Sequence, residues 1–188
     1  MPQEMYTATS TDGNRITRID WRPAFDVYAE LVKKHYRTTI TKHNVSQYGV
    51  HFPFGITRID AQPLVRIPVA LEADGSLFCV GEIPENSLLA LLHAVEPGNH
   101  DTINHLVTRM GVGSHDIMLG FYCAARRMHL AQHAADELRY WYQRIAPCHL
   151  AGAMSLGEIG SAQQGGYPLF HNATLLYAPW MSHESSAS

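Results

Sequence analysis

Apolar and polar positions alternate through much of the front of the chain and shift to helical spacing in places. Residues 4–10 and 15–20 read as two short strands around Thr11-Asp12-Gly13-Asn14, a turn whose Asp-Gly and Gly-Asn steps supply positive φ. A helix follows, with Asp20 as the expected N-cap and Pro23 in the first turn, where its missing N–H costs nothing. Ala24, Val27, Tyr28, Leu31 and Val32 form its apolar stripe, and Lys33, Lys34 and His35 suit the C-terminal end of its dipole. Residues 37–47 are polar and read as a loop or short helix. The aromatic stretch Tyr48–Phe54, with Gly49 and Gly55, reads as backbone that turns or passes close to something else. Leu64–Leu71 alternates as one strand, with Val65, Ile67, Val69 and Leu71 on one face and Arg66 on the other. Pro68 removes a ladder donor, which predicts an edge or a bulge. Ala73-Asp74-Gly75 turns this strand into Ser76–Val80. Ser87–Val95, bounded by Pro84 and Pro97, is read as a strand.

The back half changes character. A helix is expected from Asn99 or Asp101 to Met110, ended by Gly111 and Gly113. Asp116–Cys123 is a continuous apolar run, as expected of a strand buried on both faces. A long helix over about 130–146 carries Ala134, Leu138, Trp141, Tyr142 and Ile145 as its core stripe, leaving Tyr140 off it, and Pro147 stops it. Cys148–Met154 reads as a second buried strand, 160–168 as a Gly/Gln loop, and Asn172–Ala178 as a last strand. The expected class is α/β, bordering on α+β: a mixed sheet with about three packed helices. One domain over 1–180 and a flexible tail over 181–188 complete the expectation. Ile16-Thr-Arg-Ile-Asp20 recurs as Ile56-Thr-Arg-Ile-Asp60. Their flanks differ, so they read as two similar strand-to-turn solutions rather than a repeat.

Composition narrows the function classes. With 46% apolar and 16% charged residues among 188, the mixture is an ordinary globular one. A net charge of -3 offers no basic excess for a phosphate backbone, which argues against nucleic acid. No apolar run approaches the roughly 18 to 20 residues of a membrane span, and the first residues lack signal-peptide features. Three widely spaced cysteines, Cys79, Cys123 and Cys148, indicate neither a disulfide framework nor a zinc site, and the simplest compartment is a reducing cytoplasm.

Several segments carry candidate chemistry. Glu158 sits in the turn Gly157-Glu-Ile-Gly160, and His171-Asn172 opens the last apolar run. Cys123 ends a buried strand, where α/β sheets place ligands, and Arg126 follows one short turn later with a fork suited to a carboxylate or phosphate. Arg126→Ala is expected to abolish ligand binding while leaving thermal stability nearly intact. His129 and His133 have i, i+4 spacing but no third ligand, and read as a solvated helix face; no metal site is assigned.

From about Arg15 to Ala178 these pieces resemble the FIST C-terminal domain, the sensory domain named for F-box and intracellular signal transduction proteins. Ile19-Asp20-Trp-Arg-Pro23-Ala24 resembles the family's opening. Phe52-Pro53-Phe54-Gly55-Ile56 with Val65-Arg66, and Asp74-Gly-Ser-Leu-Phe78 with Gly81-Glu-Ile-Pro84, resemble its central segments. Phe121-Tyr-Cys123-Ala-Ala-Arg126, Gly157-Glu-Ile159 and His171-Asn172-Ala-Thr174 resemble its later signatures, with Tyr122 where a serine is common. The resemblance implies bacterial-type intracellular sensing by a non-enzymatic domain that binds a small polar, amino-acid-like ligand. Cys123, Arg126, Glu158, His171 and Asn172 are its expected ligand-binding residues. It also implies partners: a FIST N-terminal domain, a histidine kinase or a cyclic-nucleotide signalling enzyme. Some members bind haem and sense nitric oxide, so haem is an expected alternative. A cysteine hydrolase using Cys123, His171 and Glu158 is another.

Overall fold

The computed structural model describes residues 4–59, 61–110, 117–161 and 166–180. In chain order the elements are β1 (Tyr6–Thr7), β2 (Ser10–Asp12), β3 (Arg15–Ile19), β4 (Arg22–Pro23), α1 (Ala24–Tyr36), α2 (Val45–Tyr48), β5 (Phe54–Arg58), β6 (Ala61–Arg66), β7 (Pro68–Leu71), β8 (Leu77–Cys79) and β9 (Leu88–Leu91). Then come α3 (Asp101–Met110), β10 (Ile117–Cys123), α4 (Ala124–Leu130), a 3-10 turn (Ala131–His133), α5 (Ala134–Arg144), β11 (His149–Ser155), β12 (Glu158–Gly160), β13 (Leu169–His171) and β14 (Leu175–Trp180). The fold is a mixed α/β one. Two compact units divide the chain: Met1–Ala94 with Ile159–Ala173, and Val95–Glu158 with Thr174–Ser188. Among the described residues, no helix is long and apolar enough to cross a membrane.

The first unit holds two antiparallel sheets, with strand orders β1-β9-β5-β6 and β2-β3-β8-β7. A hairpin forms as β2 and β3, turning at Gly13 with φ 58°, but the expected strand over 4–10 divides: Tyr6–Thr7 is β1, paired with β9 in the other sheet, and Thr11 and Asp12 belong to β2 rather than to the turn. Asp20 is not the helix cap. It and Trp21 take positive φ, Asp20 accepts the Thr7 amide, and Pro23 stands at the N-cap instead. The chain needed one more tight turn, β4 against β3, before the helix could start. The α1 stripe is buried as its spacing predicts, from Ala24 to Val32. Tyr28 is wholly buried and its hydroxyl donates to the Phe52 carbonyl at 3.0 Å, so its one polar atom is met.

Leu64–Leu71 is not one strand. It breaks at Ile67 into β6 and β7, which lie in different sheets. Pro68 sits on the edge strand beside a register shift, the bulge its missing donor predicts. Gly49 confirms the close approach read from its sequence: a Cβ there would run into the Pro68 carbonyl. Ser87–Val95 contains the expected strand, β9, which pairs with both β1 and β5.

The second unit is a three-stranded sheet, β11-β10-β14, with β10 parallel to β11 and antiparallel to β14. Ile103 and Val107 of α3 and Trp141 and Ile145 from the α5 region join its core. Gly120 has no side chain because the Trp141 ring lies against it; a Cβ there would sit 2.7 Å from that ring.

Three expectations here need correction. β10 buries Met118, Gly120 and Tyr122 on one face, but Ile117 is exposed and Leu119 and Phe121 are half-buried on the other. β11 is an edge strand and mostly exposed rather than buried. The expected long helix is interrupted at Ala131, with φ 48°, giving α4, the 3-10 turn and α5. Ala134, Glu137, Trp141 and Ile145 point inward, while Leu138 and Tyr142 are exposed. Tyr140 is half-buried, stacked on His100. Gly111 and Gly113, residues 162–165 of the Gly/Gln loop, and the tail 181–188 lie outside the described residues.

Candidate functional site

In the second unit, α4 starts directly where β10 ends, and Cys123 occupies its N-cap. The Cys123 backbone N–H donates to the Thr174 carbonyl at 3.2 Å, and its side chain is wholly buried. One turn on, Arg126 is also buried. Its guanidinium grips Glu137 of α5 through two bonds, Nε to Oε2 at 2.8 Å and Nη2 to Oε1 at 2.5 Å. The Tyr122 hydroxyl donates to the same Oε2 at 2.6 Å. Burial, then the neighbouring Glu137, holds the Tyr122 phenol well above its ordinary range, so it remains a donor. Arg126 is therefore half of a buried ion pair, and its removal strands Glu137. The expected indifference of stability to Arg126→Ala does not survive this geometry.

Glu158 is 4% exposed and accepts two hydroxyls, from Ser155 at 2.6 Å and from Thr174 at 2.5 Å. The glycine-flanked turn thus carries its carboxylate inward, not into solvent.

His171 and Asn172 belong to the first unit. His171 ends β13 and is half-buried. Asn172 is 1% exposed, and its Nδ2 donates to the His171 carbonyl at 3.2 Å. That bond orients the amide, since turning it over would set two acceptors face to face. Its Oδ1 is buried with no partner among the described residues. A buried acceptor without a donor costs about 1–3 kcal/mol, and such atoms are uncommon.

The same unit holds a residue that the alternating pattern assigned to the outer face. Arg66 is 6% exposed. Nε donates to the Glu82 carbonyl at 2.8 Å, and Nη1 to the carbonyls of Val65 at 2.9 Å and Phe170 at 3.1 Å. Its guanidinium carbon lies 5.8 Å from the Phe170 ring centre. Gly81, with φ 92°, leaves room for this packing: a Cβ there would be 3.0 Å from both Nε and the ring. Period-two alternation gives no sign that this arginine is buried, because the strand break at Ile67 is a tertiary event.

The second unit also has a small open cleft of about 90 Å³. It is lined by Asn99, His100, Leu130, His133, Asp136 and Glu137. It is well below the roughly 300–1,000 Å³ of small-molecule pockets, and a porphyrin does not fit in it. His129 does not share this cleft with His133: its Nε2 lies 2.7 Å from the Val95 carbonyl oxygen. Among the described residues, no group of three His, Cys, Asp or Glu side chains is placed to hold a metal ion.

The three cysteines are buried thiols, and burial pushes the Cys79 thiol up to about 12. Reactive cysteines need exposure and a lowered pKa. In native buffer, a chromogenic disulfide reagent is expected to titrate fewer than one thiol per chain over minutes, and all three after denaturation. Rapid native reaction at Cys123 would show that it opens to solvent.

The FIST C domain family model matches residues 24–161, well over half of the chain. The chain belongs to the FIST C domain family. FIST C domains are sensory domains of signal transduction. The match takes in Arg66, Cys123, Arg126 and Glu158, while His171 and Asn172 follow it. Neither the curated proteins nor the solved structures gave a match to this FIST C chain.

Proposed function

We propose that this FIST C domain senses a small polar, amino-acid-like molecule and relays its presence to a partner. A FIST N-terminal domain, a histidine kinase or a cyclic-nucleotide signalling enzyme is the class of partner that fits a signalling chain. The observation that carries the reading is the buried, unpartnered Oδ1 of Asn172. It is an acceptor placed where a ligand's N–H or O–H group would satisfy it. His171 flanks it in sequence. Arg126 and Glu158 belong to the second unit, where Glu137 and two hydroxyls meet their charges, and this reading gives them no ligand contact. Binding would act by differential affinity for two states of the domain, with the partner reading the shift.

The test is thermal shift and calorimetry with the full chain and each of the twenty amino acids. At least one is expected to raise the melting temperature and bind saturably. Asn172→Leu removes the orphan acceptor, so without ligand it is expected to be as stable as the native chain or slightly more so. With ligand it is expected to lose the stabilisation. A Soret band on the purified protein, with no response to any amino acid, would overturn this reading in favour of a haem sensor.

A further inference from the structure

We infer that Arg66 holds the carboxylate of the ligand whose donor group meets Asn172, which makes the ligand a free α-amino acid. The inference rests on the amino-acid-sensing reading above and extends it to a named contact.

Two described arginines, Arg66 and Arg126, are buried to the same degree. Arg126 has a carboxylate at its fork. Arg66 has none within ion-pair reach among the described residues. Its three contacts are all neutral backbone carbonyls. Glu82 supplies a carbonyl, while its own carboxylate only favours the charged form from a distance. Burial opposes that charge, and the opposition is the largest influence on this guanidinium. A buried cation without a counter-charge is costly to keep.

The donor inventory points the same way. A guanidinium has five N–H groups. Nε and Nη1 account for three of them in Arg66, and Nη2 has no partner among the described residues. An anion arriving there would find two charge-assisted donors.

The spacing suits a short zwitterion. Arg66 bonds to the carbonyl of Phe170, and Asn172 lies two residues further along the chain. Asn172 stands in the bend that directly follows β13, so both groups are tied to one short stretch of backbone, on the scale of a small zwitterion. Arg66 would take the carboxylate and Asn172 Oδ1 the ammonium. The unmet charge and the unmet acceptor would then be satisfied together. The role expected of Arg126 falls to Arg66.

The experiment uses the full chain and the amino acid found most effective in the thermal-shift panel. Its binding is compared with that of its α-carboxamide, which keeps the ammonium and side chain and loses the carboxylate charge. The amide is expected to bind at least roughly 30-fold more weakly. Arg66→Met is expected to lower affinity for the acid by a similar factor and to remove the preference for acid over amide. Arg66→Lys, which keeps the charge but not the fork, is expected to fall between them. Equal affinity for acid and amide in the unaltered protein would overturn the inference, and this arm needs no variant to fold. Unchanged affinity of folded Arg66→Met for the acid would also overturn it while leaving the sensing reading standing. If no amino acid binds the unaltered protein, the sensing reading falls and the Arg66 contact falls with it.

Discussion

Arg126→Ala is expected to destabilise the second unit by about 3–5 kcal/mol, the usual cost of stranding one member of a buried ion pair. Glu137 would lose both guanidinium bonds and keep only the Tyr122 hydroxyl, while remaining buried at 5% exposure. The large cost is a penalty on the charge left behind rather than the worth of the pair. Replacing the whole cluster with apolar groups of similar volume, as Arg126→Met with Glu137→Leu and Tyr122→Phe, is therefore expected to return stability to within about 1–2 kcal/mol of the native chain. Urea unfolding followed by the fluorescence of Trp141, which is 1% exposed in the same core, measures both. A cost below about 1 kcal/mol for Arg126→Ala would mean that the pair is solvated in solution. For the same reason, loss of signalling in an Arg126 variant would not by itself identify a ligand contact.

Gly152→Ala is the second large effect. Gly152 faces Gly120 across the parallel β10–β11 pair. A Cβ on Gly152 would press into the Gly120 carbonyl and its adjoining backbone atoms. Backbone cannot rotate away as a side chain can, so the strands must separate or shift register. The expected cost exceeds about 4 kcal/mol, in the range reserved for disrupted backbone or core. Gly13→Asn is the control. Gly13 has positive φ but nothing within 4 Å of its would-be Cβ, and asparagine tolerates that conformation. Its cost is expected to stay below about 1 kcal/mol. If Gly152→Ala unfolds within about 0.5 kcal/mol of the native chain, β10 and β11 do not approach this closely in solution.

Both effects come from contacts that no local pattern encodes. Helical spacing located α1 and α3 because one face of each must be apolar to be buried, and that requirement is written every three or four residues. Turn residues located the β2–β3 hairpin because positive φ needs glycine or its substitutes. The same logic failed at α5. Ala134, Trp141 and Ile145 face the core as their spacing predicts, but Glu137, paired with the buried Arg126, joins them, while Leu138 and Tyr142 are exposed. It failed again at β6, where alternation placed Arg66 outside and the break at Ile67 turned it inside. The candidate site was legible to the same extent. Arg126, Glu158 and Asn172 stand out as polar groups at element ends, and all three are buried. Arg126 has its charge met by Glu137, eleven residues on, and Glu158 takes one of its two hydroxyls from Thr174, sixteen residues on.

The sequence by itself determined the family, the α/β class, the positions of α1, α3, β9 and β10, and a short set of polar residues worth attention. These follow from periodicity, turn chemistry and motif order, all of which are local along the chain. It took the packed structure to pair Arg126 with Glu137, to leave the Asn172 Oδ1 unmet, and to bury Arg66 with no carboxylate in ion-pair reach among the described residues. The physical reason is that burial and charge compensation are properties of what surrounds a side chain. A residue's own neighbours in sequence supply only a small part of that surrounding.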